Sequence, residues 1–143
     1  MDCAPFFDLV DELVGDRLVR PRETRAGGQC VVDFFHPSTA ARLGDDSLVT
    51  AFNRSGIVWA PPARRLGIQL RVPEADESRV RAALAANPFP VDRTDHRGAS
   101  APDGEMVMLV HYAIREADVS DADLRATLEA VAAAIERPTG ADA

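Results

Sequence analysis

Lysine is missing from this chain altogether, and cysteine, tryptophan and tyrosine are scarce: among 143 residues there are two Cys, one Trp and one Tyr, and all 16 basic residues are Arg. Basicity carried by arginine alone reflects GC-rich codons and assigns no function. Cys3 and Cys30 are too few for a disulfide framework and lack the C-x-x-C spacing of redox and zinc motifs. They are expected to be two unpaired thiols, and their scarcity predicts a reducing, cytoplasmic compartment. No apolar run approaches the roughly 18 residues of a membrane span. The opening Met1-Asp2-Cys3-Ala4-Pro5 has neither the basic nor the apolar region of a signal peptide. Walker, dinucleotide-binding, nucleophile-elbow, H-E-x-x-H and EF-hand patterns are all absent. Nucleotide, hydrolase and metalloprotease readings therefore lose their usual support, and no cofactor or metal is expected.

What is present is the balance of a folded chain, with 46% apolar and 27% charged residues. The length predicts one domain over residues 1–138 with a disordered tail at 139–143. Acidic residues outnumber basic ones 23 to 16, a net charge of −7. Long-range repulsion of phosphate backbones and anionic headgroups argues against a nucleic-acid or membrane partner. Arg17, Arg20, Arg22 and Arg25 cluster locally, but Asp16 and Glu23 interrupt them, and they are expected in a solvated loop.

Phe6, Leu9, Val10, Leu13 and Val14 recur at helical spacing between Asp8, Asp11, Glu12 and Asp16, predicting an amphipathic helix from Pro5 to Leu18. Pro21 and Gly27-Gly28 then mark a loop. Gln29 to His36 reads as a strand, β-branched and aromatic. The segment Pro37 to Asn53 fits either a short helix or a strand. Gly56 to Ala60 is a short apolar strand, and Leu66, Ile68, Leu70 and Val72 alternate with Gly67, Gln69 and Arg71 in the plainest period-two pattern of the chain. Glu74 to Ala86 predicts a helix with a thin apolar face of Val80, Ala83 and Leu84, stopped by Asn87-Pro88. A brief strand is expected at Phe89 to Asp92, followed by an exposed connection over Arg93 to Gly104. Met106 to Ile114 is apolar on both faces, as in the central strand of a covered sheet. Ser120 as N-cap, Asp123 in the capping box, and Val119 with Leu124 as staple open a last helix whose stripe is Leu124, Leu128, Val131 and Ile135. Pro138-Thr139-Gly140 ends it. The order is α-β-β-β-α-β-β-α, an α+β fold with a single antiparallel sheet and three main helices.

Few residues could carry chemistry. Cys30 and His36 share a strand face but stand about 20 Å apart at roughly 3.3 Å per residue, too far to share a metal. His36, before Pro37, reads as a hydrogen-bonded boundary residue and His111 as a core or interface histidine. An acid/base site would need His111 and Asp33 on adjacent strands, so Asp33, His36 and His111 form a low-ranking polar site. Asp118, Asp121 and Asp123 are accounted for by a helix N-terminus, and Asp45-Asp46 lacks the periodic oxygen ligands of a calcium loop. Trp59 is a core residue or, if exposed, an interface anchor.

The helix ending Leu84-Ala85-Ala86-Asn87, the loop, the strand Met106 to Ile114 and the following Val119-Ser120 to Leu124 helix start, taken with the element order, resemble the type III secretion chaperone-like superfamily, which includes secretion chaperones and YbjN-like bacterial regulators. The resemblance covers about half of the chain. It implies a homodimer presenting an apolar sheet surface to an extended segment of a partner protein whose identity it does not name. Trp59, Met106, Met108, Val110 and Tyr112 are the expected interface. The functional expectation is a non-enzymatic, chaperone-like or regulatory interaction module. Its competitors are a small ligand-binding domain or enzyme with a histidine/aspartate pocket, and an immunity-type inhibitor whose acidic face covers a basic toxin.

Overall fold

The computed structural model describes residues 1–47 and 53–136, and α+β architecture with one antiparallel sheet is what it shows. Elements follow in the order α1 (Cys3–Leu13), β1 (Val19–Ala26), β2 (Gln29–Phe35), α2 (Pro37–Ser47), β3 (Ser55–Ala60), β4 (Arg65–Pro73), α3 (Glu77–Leu84), β5 (Asp92–Ser100), β6 (Met106–Glu116) and α4 (Asp121–Ile135). The six strands lie in the order β1-β2-β3-β4-β6-β5, each antiparallel to its neighbour. The end of the last helix at Pro138-Thr139-Gly140, the tail at 139–143 and the apolar Leu48, Val49 and Phe52 fall outside the described residues.

Period-two alternation sorts the sheet into two unlike faces. Cys30, Val32 and Phe34 of β2, Ile57 and Trp59 of β3, Leu66, Ile68, Leu70 and Val72 of β4, and Val110, Tyr112 and Ile114 of β6 point to one side. There α1, α3 and α4 cover them with Phe6, Val10, Val80, Leu84, Leu124, Leu128, Val131 and Ile135 to form the main core. Burial of this apolar area is the chief term holding the fold, at about 25 cal/mol per Å². Helix α4 starts as expected: the Ser120 hydroxyl accepts the Asp123 N–H at 3.1 Å, and Val119 and Leu124 are both buried. Helix α3 is shorter than expected because Glu74–Asp76 forms a 3-10 turn, and the Asn87 side chain closes its end by donating to the Leu84 carbonyl and accepting from Phe89 N–H.

Among the described residues, only α2 provides cover on the other face, and only at one end. Its Leu43 packs with Val107 and Leu109 of β6 and with Ala99 and Ala101, and the Thr39 hydroxyl donates to the Arg71 carbonyl at 3.0 Å. A fourth helix thus occupies Pro37–Ser47 of the segment that the sequence left ambiguous.

Three expectations are corrected. The arginine-rich segment after α1 is an edge strand, not a loop: β1 pairs with β2 through backbone bonds that tolerate exposed, charged side chains. Residues Asp92–Ser100, expected mostly as an exposed connection, form the opposite edge strand for the same reason. Met106–Glu116 is not central but second from the edge, since β5 lies outside it. Both edges are blunted in the way that discourages pairing with other chains: β1 carries Pro21 and a register shift between Val19 and Arg22, and β5 has one between Asp95 and Gly98.

The cysteines overturn a fourth expectation. Cys3 in the first turn of α1 lies against the start of β2, its Cα 5.3 Å from that of Cys30, and the two form a disulfide. Sequence spacing could not show this approach, which depends on how α1 docks. The argument for a reducing compartment falls with it. No helix among the described residues is long and apolar enough to cross a membrane.

Candidate functional site

The end of the sheet that no other described residues cover is a trough. The backbone there alternates so that Gly56 and Val58 of β3 and Gly67, Gln69 and Arg71 of β4 face outward, with Asp33 of β2 on one flank and Arg115 of β6 on the other. Two hollows of about 320 and 600 Å³ join through Val58, Gly67, Gln69 and Arg115, which line both. Glycine makes the floor. A Cβ on Gly67 would sit 3.9 Å from Val58 Cβ and one on Gly56 3.5 Å from Asp33 Oδ1, ordinary contacts, so the side chains are missing without any steric demand from the backbone. From Arg54 to Ala60 the trough follows β3 for about 20 Å at roughly 3.3 Å per residue.

Among the described residues the first hollow is lined by Arg54, Arg71 and Arg115 with one carboxylate, Asp33. Arg54 stacks over Phe35 with its guanidinium carbon 5.7 Å from the ring centroid, and Arg71 donates to the Arg54 carbonyl at 3.3 Å. Burial lowers the Arg71 pKa from its ordinary value, though a guanidinium remains protonated in a protein. Arg115 has no carboxylate within ion-pair distance among the described residues. His111, opposite Arg71 in the register, has its pKa lowered first by burial and then by the positive charge of Arg71, His96 and Arg115. Its Nε2 is buried without a hydrogen-bond partner among the described residues, and the His96 ring stands edge-on at 6.1 Å.

The polar residues singled out in the sequence do not converge. Asp33 and His111 share this face, but β3 and β4 hold their strands about 14 Å apart at about 4.8 Å per strand, and the register sets Ala113 rather than His111 level with Asp33. His36 is elsewhere, fully buried. Its Nδ1 accepts the Ser38 N–H at 3.1 Å, which leaves the proton on Nε2 to be donated to the Ala134 carbonyl of α4 at 2.9 Å. It caps α2 and ties it to the last turn of α4. Burial, the largest influence, holds its pKa down at about 4. No group of three or more His, Cys, Asp or Glu that could hold a metal occurs among the described residues.

The expected interface is divided by the structure. Trp59, Val110 and Tyr112 belong to the core and offer no surface. Trp59 stacks on Phe6 at 6.0 Å and donates to the Met1 carbonyl at 2.8 Å. A strand apolar on both faces does not say in sequence which face the helices take. Met106 and Met108 are exposed, at 63% and 48%. The trough residues themselves were overlooked, although Gly67, Gln69 and Arg71 stood out as the polar half of the clearest strand. No protein-family model, curated protein or solved structure matches the chain.

Proposed function

We propose that the protein acts by binding, without catalysis, and holds an extended polypeptide segment in the trough of its sheet. The trough itself carries the reading: a long, shallow channel floored by glycine backbone suits a strand-like chain better than a compact small molecule, for which enclosed pockets are the rule. The described residues of the lining hold no nucleophile set against a base. The Ser55 hydroxyl accepts the Arg71 N–H, and Asp33 stands three strands from His111. Selection of peptides from a display library tests the proposal. Selected segments should lose binding in Gly67→Leu, which fills the channel, and keep it in folded His36→Gln and His111→Gln variants. Turnover of a small molecule that disappears in folded His111→Gln would instead establish an enzyme.

A second reading, the homodimer, draws on exposed Met106 and Met108, which lie on the helix-bearing face outside the helices' cover. On the opposite face of β6, Leu43 of α2 packs on Val107 and Leu109, so a dimer would use Met106 and Met108 rather than that face. A light-scattering mass of two protomers, reduced to one by Met106→Glu with Met108→Glu, would support it.

A further inference from the structure

We infer that the thioethers of Met106 and Met108, drawn together over Gly98, form a site for a soft monovalent metal ion of the copper(I) type. The pair lies on the helix-bearing face of the sheet, opposite the trough, and is independent of it. The chain has three methionines, and Met1 packs partly buried against the core. Met106 and Met108 are, among the described residues, the large apolar side chains that stand exposed, so core packing does not account for them. Two residues apart on β6, they share one face of the strand, and Met108 stands opposite Gly98 of β5. Both fold over that glycine. The point where a Gly98 Cβ would stand lies 2.6 Å from Met106 Sδ and 3.1 Å from Met108 Sδ. Two sulfurs that close to a third point are near neighbours, and the flexible, unbranched Met side chain closes the remaining gap onto one ion, for which metal–sulfur bonds are about 2.3 Å. Gly98 differs in this from Gly67, whose missing Cβ meets only ordinary contact. At 98 the sulfurs occupy the space that a side chain would fill, so their pairing depends on glycine there. A thioether is a neutral, polarisable donor, and such soft ligands select copper(I) over calcium and magnesium, which take oxygen. The two cysteines, stronger ligands for the same ion, are bonded to each other and do not compete. Glu74 and Arg42 both line the hollow beside the pair, so the choice of ion rests on the sulfur rather than on charge.

The test uses the whole protein, disulfide intact and carbon-13 labelled in its methionine methyl groups. The probe is silver nitrate in chloride-free buffer, silver(I) being a soft monovalent ion that needs no reductant. One equivalent should shift the Met106 and Met108 methyl signals together and leave that of Met1 in place. Met106→Leu and Met108→Leu, conservative changes at exposed positions, should each weaken binding at least about tenfold, since either removes one of the two donors. Gly98→Ala keeps both sulfurs but displaces them, and should weaken binding by a similar factor in a folded protein; if it does not fold, the leucine variants decide. Copper(I), supplied without oxygen and with ascorbate, should move the same two signals, and calcium and magnesium should move neither. A shift of one methyl alone, or silver held equally well by the double leucine variant, would place the ion elsewhere and overturn the inference. Unchanged affinity in folded Gly98→Ala would overturn it too, as would copper(I) that leaves both signals in place.

Discussion

His36 shows how one side chain can be buried for structural reasons and still control the response to pH. Both ring nitrogens are engaged, one capping α2 and one donating to α4, an arrangement available only to the neutral ring. The unfolded chain takes up the proton below about pH 6.5, whereas the folded chain resists it down to about pH 4. Between these values the unfolded state binds more protons, so this contribution to stability is complete above about pH 6.5 and is lost as pH falls towards 4. The full loss is about 3 kcal/mol. Urea melts across this window should show that fall in the native sequence, and a markedly flatter profile in His36→Gln from a lower starting stability. Gly67 offers the opposite test. Its backbone requires no glycine and a Cβ there meets only ordinary contact, so Gly67→Ala should raise stability by about 0.5 to 1 kcal/mol through the reduced freedom of the unfolded chain. A drop in melting temperature would show that the strand needs the glycine for its own geometry.

Among the elements, α4 is the main roof of the covered face. Its stripe Leu124, Leu128, Val131 and Ile135 is fully buried, as the spacing of these residues predicts. Leu128→Ala should cost about 2 to 5 kcal/mol, the range for a large-to-small core change. A loss under about 0.5 kcal/mol would mean that the helix lies loosely on the sheet. Ser120→Ala should cost about 1 kcal/mol, because the Asp123 N–H would lose its acceptor. The edge strands behave differently. Strands β1 and β5 carry no apolar alternation because one face of each lies beyond the helices, and backbone pairing suffices to hold them. This is why Arg20, Arg22 and Arg25 resemble a loop in sequence. Among the described residues of α2, Leu43 and the Thr39 hydroxyl make the contacts that cover one end of the sheet.

For the molecule as a whole, the Cys3–Cys30 link joins the first helix to the second strand across 27 residues. Closing a loop of that size restricts the unfolded chain by about 3.5 kcal/mol in the chain-entropy description. Alkylation under non-reducing conditions should find no free thiol, and reduction should lower the urea midpoint accordingly. Two free thiols in oxidised material would mean that α1 docks otherwise. The sequence by itself determined the α+β class, the strands with one apolar face, the capped last helix and its buried stripe, because each follows from periodicity and caps within a dozen residues. Only the tertiary structure decided the disulfide, the edge position of the arginine-rich strand and the place of Met106–Glu116 beside that of β5. The trough belongs to this second group. Its residues come from β2, β3, β4 and β6, and they meet only when antiparallel register sets Arg71 opposite His111 and Gly67 opposite Arg115. Periodicity reports which side of a strand is apolar, but the partner strand and the side that the helices cover depend on contacts between residues far apart in the chain.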